Sequence, residues 1–232
     1  MANGTPTAHR LPVASIGMGE LYLVRHGQAN TGATNEADYD RLSDLGHRQA
    51  GLLGDWLHAN EDGFDLTLSG AMRRHRETAA GMGFTPDYED PRLNEMDYFA
   101  LARDIEVTHG VAPPNSQDDF ADHIPQTLAA WHGATINGAE PFATFETRIF
   151  DALAQAAKPG KRVLCITSGG VIAMVMRQAL GLGPSQMAHV LLPIWNSSLH
   201  RFRIRDDGTY LVSFNTIPHL DAPDLVTART HI

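Results

Sequence analysis

The sequence predicts an α/β fold: a three-layer sandwich with a mostly parallel sheet, helices on both faces and an inserted helical cap. The first observation is that apolar runs of strand length alternate with segments whose apolar residues recur at three- and four-residue spacings. Such alternation is typical of parallel sheets, because a crossover helix returns the chain to the start of the next strand. The second observation is that the alternation weakens between residues 97 and 140, around Pro113 and Pro114, which indicates an insertion.

The N-terminal half contains two predicted strand–helix units. Residues 21–24 form a short apolar run and predict a buried strand. Ser43 is a predicted N-cap, and residues 45–57 after it carry apolar side chains at helical spacing. Leu66, Thr67, Leu68 and Ser69 predict the second short strand, and residues 72–82 contain good helix formers that end at glycines.

The C-terminal half repeats the pattern. Residues 145–157 predict a helix with one apolar face, residues 162–167 a strand, and residues 170–180 a helix that follows the strand directly. Residues 199–204 and 210–214 flank a turn sequence and predict a late hairpin.

The same patterns predict the domain organisation. We expect one domain over residues 20–215, with residues 97–140 as the inserted cap and a short helix at residues 118–131 inside it. Residues 1–19 and residues 221–232 are expected to be flexible tails.

The charge and cysteine content argue against several classes of protein. Eighteen lysines and arginines against 27 aspartates and glutamates give a net charge of −9, which repels nucleic acid and anionic membranes. The most apolar window, residues 163–182, is interrupted by Arg177, so we expect no membrane span. The N-terminus lacks the apolar centre of a signal peptide, and Cys165 has no disulfide partner, so we expect a cytoplasmic protein.

Arg25, His26 and Gly27 follow the first predicted strand, where open α/β sheets place their sites. A histidine at a sheet edge, beside an arginine, presents an imidazole nitrogen to an anion that the guanidinium holds by paired hydrogen bonds. This combination is suited to phosphate chemistry.

An ordered series of motifs spans about residues 20–204. In chain order these are LYLVRHGQ, LSDLGHRQA, SGAMRRHRETA, LNEMDYF, the helix containing Phe145 and Arg148, and CITSGGVIA. With this series the chain resembles the histidine phosphatase superfamily, which includes the cofactor-dependent phosphoglycerate mutases.

The resemblance implies a role for each of several residues. His26 would be the nucleophile that accepts the phosphoryl group as phosphohistidine, and Arg25 would bind the phosphate oxygens. The second phosphate-binding arginine corresponds to Arg74, with Arg73 as the alternative because the spacing departs by one residue from the commonest pattern. Glu95 would protonate the leaving alkoxide and then deprotonate water.

The largest departure from the family pattern is at Ser168, where the commonest sequence has a second histidine. What remains is a hydroxyl and the free backbone N–H groups at a helix start that includes Gly169, which together still form an anion site. Loss of one organised donor typically costs about 10²–10³ in turnover, so we expect a slow enzyme. Gln28 directly follows the triplet and is expected to line the substrate pocket.

Simpler structural roles remain open for these residues. Arg74 could belong to the solvated face of its helix, Glu95 could be an exposed loop residue, and Ser168 could serve as an N-cap. Asn30 could line the pocket or cap a turn. His75 neighbours Arg74 in the helix, and because adjacent helical residues point in different directions we expect it not to face the phosphate.

The sequence therefore predicts metal-independent hydrolysis of a small phosphorylated metabolite through phosphohistidine, with no cofactor. The twelve histidines show no spacing typical of a closed metal site. The alternatives are phosphoryl transfer of the phosphoglycerate mutase type, which needs protection of the intermediate from water, and a non-catalytic module that binds a phosphorylated ligand.

Overall fold

The computed structural model describes residues 18–33 and 35–231, and within them a six-stranded sheet forms the centre of the molecule. The order across the sheet is β3-β2-β4-β1-β5-β6. The first four strands run parallel, and β5 and β6 extend the sheet as an antiparallel hairpin. This confirms the predicted fold class. The strands are β1 Gly19–Arg25, β2 Leu66–Ser69, β3 Tyr88–Glu89, β4 Arg162–Thr167, β5 Leu199–Arg205 and β6 Gly208–Thr216.

The helices connect the strands and cover both faces of the sheet. All five predicted helices are present, with bounds shifted by at most three residues. Three further helices, α1, α4 and α8, were not predicted, because their segments are short or lack clear apolar periodicity. The helices are α1 Glu36–Tyr39, α2 Asp44–Asn60, α3 Arg73–Gly81, α4 Tyr98–His109, α5 Gln117–His132, α6 Phe142–Ala156, α7 Gly169–Leu180 and α8 Pro184–Leu191.

Alternate residues of β1 enter two different apolar cores. Leu21 and Leu23 pack into the core shared with helices α4 to α8, whereas Tyr22 and Val24 pack into the core shared with α2 and α3. Side chains alternate along a strand, so a central strand buried on both sides is apolar at every position. Leu23 pairs with Cys165 of β4 on one side and with His200 of β5 on the other, so β1 is an interior strand of the sheet.

Helices α4 and α5 form the segment predicted as the insertion. Leu101 and Ile105 of α4, with Leu128 and Trp131 of α5, belong to the same apolar core as β1. The segment is therefore packed onto the domain rather than standing apart from it. It also supplies one wall of the cavity described below.

The expectation of a flexible C-terminal tail is wrong for residues 221–231. A 3₁₀ turn spans Pro223–Ala228, and the Gln49 side chain of α2 donates hydrogen bonds to the Ala228 carbonyl at 2.7 Å and to Thr230 Oγ1 at 3.0 Å. A buried amide group needs hydrogen-bond partners, and the C-terminal segment supplies two of them to the side-chain amide of Gln49. Of the expected N-terminal tail, residues 1–17 lie outside the described residues, and Gly19 begins β1.

Two further observations apply to the described part of the chain. None of its helices combines the length and apolarity needed to cross a bilayer. No group of three or more potential metal-ligating side chains comes together within it.

Candidate active site

A cavity of about 410 Å³ opens at the carboxyl ends of β1 and β4. Open α/β sheets bind ligands at this edge, because strand ends and helix starts converge there. The ionisable side chains described along its wall are those of Arg25, His26, Glu36, Tyr39, Arg74, Glu95, Tyr98 and His231.

His26 is held in one orientation. Its backbone N–H donates to the Thr167 carbonyl at 2.9 Å, which joins the end of β1 to the end of β4. Its ring Nδ1 lies 2.7 Å from the Gly27 carbonyl oxygen. A carbonyl only accepts, so Nδ1 carries the proton and Nε2 keeps its lone pair. The side chain is only 2% exposed yet lines the cavity, so Nε2 is the nitrogen available to a ligand.

The surroundings of His26 favour the neutral imidazole. Burial is the main cause that moves the pKa of His26 well below its usual value, and the charges of Arg74 and Arg25 lower this pKa further. A protonated ring has no lone pair. The ring is therefore kept in its nucleophilic form throughout the neutral pH range.

Glycine at positions 27 and 46 allows two backbone segments to meet beside His26. A Cβ added to Gly27 would lie 2.4 Å from the Gly46 carbonyl oxygen, and a Cβ added to Gly46 would lie 2.1 Å from the Gln28 carbonyl oxygen. The predicted N-cap Ser43 accepts a hydrogen bond from Gly46 N at 3.1 Å and so fixes the start of α2 at this contact. The two glycines therefore set the position of the loop after β1.

Arg25 contributes a partly buried guanidinium to the cavity. Its Nη1 donates to the backbone carbonyls of Ile194 and His231, the latter at 2.6 Å. Its Nε has no hydrogen-bond partner among the described residues. Burial lowers the pKa of Arg25, although an arginine stays protonated at neutral pH. The ordered C-terminal segment thus anchors one side of this cation.

Arg74, and not Arg73, points into the cavity. Arg74 is fully buried, and its Nη1 donates to Glu36 Oε1 at 2.6 Å and Asp40 Oδ1 at 3.3 Å. Its Nε and Nη2 have no partner among the described residues, so donors remain for a ligand. The Arg73 side chain is 60% exposed and pairs with Glu77. Arg73, and not Arg74, therefore lies on the solvated face of α3.

Glu95 belongs to the loop before α4, and its side chain contacts the start of α7 and lines the cavity. Its Oε2 accepts a hydrogen bond from Gly170 N at 2.9 Å, and its Oε1 accepts one from Met96 N at 3.0 Å. The loop that carries Glu95 is fixed by Arg148, whose Nη1 donates to the carbonyls of Arg92 and Asn94. Glu95 is thus a positioned carboxylate and not a freely exposed loop residue.

Ser168 pairs with His75 instead of capping its helix. It occupies the N-cap position of α7, but its side chain makes no capping hydrogen bond. Ser168 Oγ lies 2.6 Å from His75 Nε2, and both residues are fully buried. His75 is not among the residues that line the cavity, yet its ring centroid is 5.8 Å from that of His26. A second imidazole is therefore present close to His26, and it comes from α3.

The structure corrects two details of the predicted substrate contacts. Gln28 does not line the cavity, because its Oε1 accepts a hydrogen bond from Ser43 Oγ at 2.7 Å. Gly169 does line it, but the next backbone N–H of α7, that of Gly170, is already bound to Glu95. The predicted row of free N–H groups is thus partly occupied by the protein's own carboxylate.

Sequence reasoning missed two cavity residues that lie beside Arg74 and His26. Tyr39 places its ring centroid 5.0 Å from the Arg74 guanidinium carbon and 6.5 Å from the His26 ring centroid. Glu36 accepts the hydrogen bond from Arg74 described above. Both lie in α1, a helix of one turn, and the only sequence signal was the Asn35 N-cap before it.

The fold and the cavity define an α/β protein with a neutral imidazole and two guanidinium groups at the carboxyl edge of a parallel sheet. The chain belongs to the histidine phosphatase superfamily (branch 1), whose sequence pattern it matches over residues 21–217. A comparison with curated proteins finds no match.

Solved structures with a similar fold include three proteins with different names. The alpha-ribazole phosphatase from Shigella flexneri is 21% identical, with 85% of this chain and 96% of that chain covered and a TM-score of 0.61. A mycobacterial glucosyl-3-phosphoglycerate phosphatase is 22% identical, with coverages of 86% and 99% and a TM-score of 0.60. A phosphoglycerate mutase from Bacillus anthracis is 21% identical, with coverages of 88% and 95% and a TM-score of 0.60. At these identities the likeness concerns the fold.

Proposed function

We propose that the protein is a metal-independent phosphomonoesterase that acts through a phosphohistidine on a small phosphorylated metabolite. The observation that carries the proposal is the state of His26: neutral, held through Nδ1, and with Nε2 free beside two arginines that keep unpaired donors. A nucleophile needs a lone pair, and a phosphate dianion needs fixed positive charge. The placement of Arg25, His26 and Arg74 at one end of the cavity, called the phosphate end below, supports the proposal on both counts.

In the first step, His26 Nε2 attacks phosphorus and the bond from phosphorus to the ester oxygen breaks. Arg25 and Arg74 hold the phosphoryl oxygens through their remaining N–H groups as charge develops. The protonated carboxyl of Glu95 gives its proton to the departing alkoxide, so the alcohol leaves neutral. Helices α4 and α5, within the predicted cap at residues 97–140, cover the organic part of the substrate.

In the second step, water attacks the phosphohistidine. The Glu95 carboxylate takes a proton from this water, the bond from phosphorus to Nε2 breaks, and inorganic phosphate is released. His26 returns to its neutral form, and Glu95 returns to its protonated form. The same carboxyl group thus serves as acid and then as base.

We propose that turnover is slower than an imidazole at position 168 would permit. Ser168 offers a single hydroxyl, and His75 already binds that hydroxyl. His75 is neutral because burial, followed by the charge of Arg74, lowers its pKa well below the usual value. Neither group supplies a positive charge to the phosphoryl oxygens, and loss of such a donor typically costs about 10²–10³ in turnover.

The test is a panel of phosphomonoesters assayed with a chelator present, using wild type and His26→Ala. We expect release of phosphate from wild type only, together with an acid-labile, alkali-stable phosphoenzyme that is absent from His26→Ala. Equal turnover by the two proteins would exclude enzymatic hydrolysis at this site. Ligand binding with no turnover would identify the non-catalytic module, and transfer to an added acceptor alcohol in preference to water would identify a mutase.

The remaining expectations belong to the same proposal. The negative net charge supports a small phosphorylated substrate over nucleic acid. Cys165 is buried, and burial raises its pKa to about 12, so the thiol is unreactive and consistent with a reducing cytoplasm.

A further inference from the structure

The cavity beyond the phosphate end has an apolar wall. Its side chains come from the loop before α4, from α4 and α5, and from the end of α8, which are brought together only by the fold. A pocket of about 410 Å³ is large enough for a phosphate and an attached ring. The apolar side chains that form this wall include Met96, Tyr98, Phe99, Phe120, Leu191 and Leu192.

Tyr98 contributes its ring and not its hydroxyl to this wall. The hydroxyl hydrogen-bonds to His123 Nδ1 at 2.9 Å. The ring packs edge to face against Phe120, with 5.0 Å between centroids. Burial raises the pKa of Tyr98, so the phenol stays neutral. The aromatic pair therefore presents a fixed apolar surface to whatever occupies the cavity.

Among the described residues, the cavity offers no further lysine or arginine side chain to a second anionic group. Among the described lining residues, the lysine and arginine side chains are those of Arg25 and Arg74, and both belong to the phosphate end. Glu36 and Glu95 line the same space, and neither side chain offers a positive charge to a second carboxylate. A buried carboxylate without a partner is strongly disfavoured. The backbone carbonyl of His231 binds Arg25, so this residue lies at the phosphate end. The remaining polar side chains of the described wall are those of Thr31, Asn115, Ser116, Gln117 and His231.

From these contacts we infer that the substrate is a phosphomonoester of an uncharged alcohol with an apolar, ring-sized group. This rests on the proposed function, since it assigns the organic part of the substrate to the apolar wall once the phosphate is held at His26. It disfavours phosphorylated amino acids and sugar acids, whose carboxylates would lie against Phe120 and the two glutamates.

The experiment compares benzyl phosphate with 4-carboxybenzyl phosphate, which have similar leaving alcohols and differ in one carboxylate. We expect kcat/KM to be at least about tenfold higher for benzyl phosphate, because an unpaired carboxylate is rejected by a desolvated apolar wall. Phe120→Lys and Leu192→Lys each add a cation to the wall and are expected to reduce or reverse this ratio. Val107→Lys, at an exposed position of α4, is the matched control and should leave the ratio unchanged.

The two proposals fail in different ways. Turnover of both esters with equal or higher kcat/KM for the carboxylated one would overturn the substrate assignment and leave the phosphatase proposal intact. Loss of all turnover would overturn the phosphatase proposal. Calorimetry with benzylphosphonate and 4-carboxybenzylphosphonate decides the substrate class without turnover: we expect at least about tenfold tighter binding of the uncharged ring, and equal affinity would refute it.

Discussion

Replacing Ser168 by histidine is expected to destabilise the protein and to leave turnover no faster than in wild type. The family pattern makes this substitution look like a simple restoration of a lost imidazole. In the structure, however, Ser168 is fully buried and its Oγ lies 2.6 Å from His75 Nε2. A second imidazole at position 168 would have to occupy the space that the His75 ring already fills.

The size of the effect follows from overpacking. Insertion of extra atoms into a well-packed core typically costs about 1–3 kcal/mol. A chain of this length loses about 2–4 °C in Tm per kcal/mol, so the midpoint should fall by about 2–12 °C. The double variant Ser168→His with His75→Ala also removes the obstructing ring. It should recover most of the lost stability and raise kcat above that of wild type, by at most about 10²–10³-fold.

The assay is thermal unfolding together with kcat on one phosphomonoester for wild type, the single variant and the double variant. Ser185→His, at an exposed position of α8, controls for the chemistry of the substitution itself. A single variant as stable as wild type would refute the claim that His75 fills the space. A stable double variant with unchanged kcat would refute the claim that the donor at position 168 limits turnover.

Three further predictions concern phosphate binding, pH and backbone packing. Inorganic phosphate at about one hundred times its Kd should stabilise wild type by about 2.7 kcal/mol in thermal unfolding, and Arg74→Met should abolish this shift whereas Arg73→Met should retain it. Burial lowers the pKa of His200 to about 3, below its unfolded value near 6.5, so its contribution to stability is complete above pH 6.5 and is lost as pH falls. Denaturant unfolding at pH 7.5 and 5.5 should therefore show a loss of about 1.4 kcal/mol from this residue, which His200→Gln removes. Gly46→Ala should destabilise by about 1–3 kcal/mol because its Cβ would meet the neighbouring backbone at 2.1 Å, whereas Gly51→Ala, with its nearest contact at 3.9 Å, should be neutral or stabilising by about 0.5–1 kcal/mol.

Each of these predictions has a contrary outcome. An equal phosphate shift in the Arg74 and Arg73 variants would place the anion elsewhere on the surface. An unchanged difference between the two pH values in His200→Gln would mean that other groups carry the acid sensitivity. Equal stability of Gly46→Ala and Gly51→Ala would show that the contact beside the loop after β1 is not tight.

Much of the site was predictable because strand ends and short motifs are local features. An apolar strand followed by Arg25 and His26 places both residues at the sheet edge, whatever the rest of the fold does. The choice between Arg73 and Arg74 was not local. Both lie in the first turn of α3, and only the packing of that helix against the sheet decides which guanidinium is buried.

The predicted helices were identified by apolar residues at helical spacing and the predicted strands by short runs of strand length, and both patterns involve residues close in the chain. The unpredicted α4 and α8 lack such strong signals, and they supply much of the apolar wall. Residues 221–232 were predicted as a tail because the segment is short and its sequence shows no regular apolar pattern. Their hydrogen bonds to Gln49 join residues 179 and 181 positions apart, which no local pattern encodes.

By itself, the sequence determined the α/β fold, the two-sided burial of β1 and the presence of the histidine and arginine at the sheet edge, because apolar periodicity and short motifs depend on neighbouring residues. Only the tertiary structure decided that His75, 93 positions before Ser168, fills the space beside it, and that an apolar wall meets the phosphate end. The physical reason is that distant side chains become neighbours only when the helices pack, and packing is settled by the whole core at once.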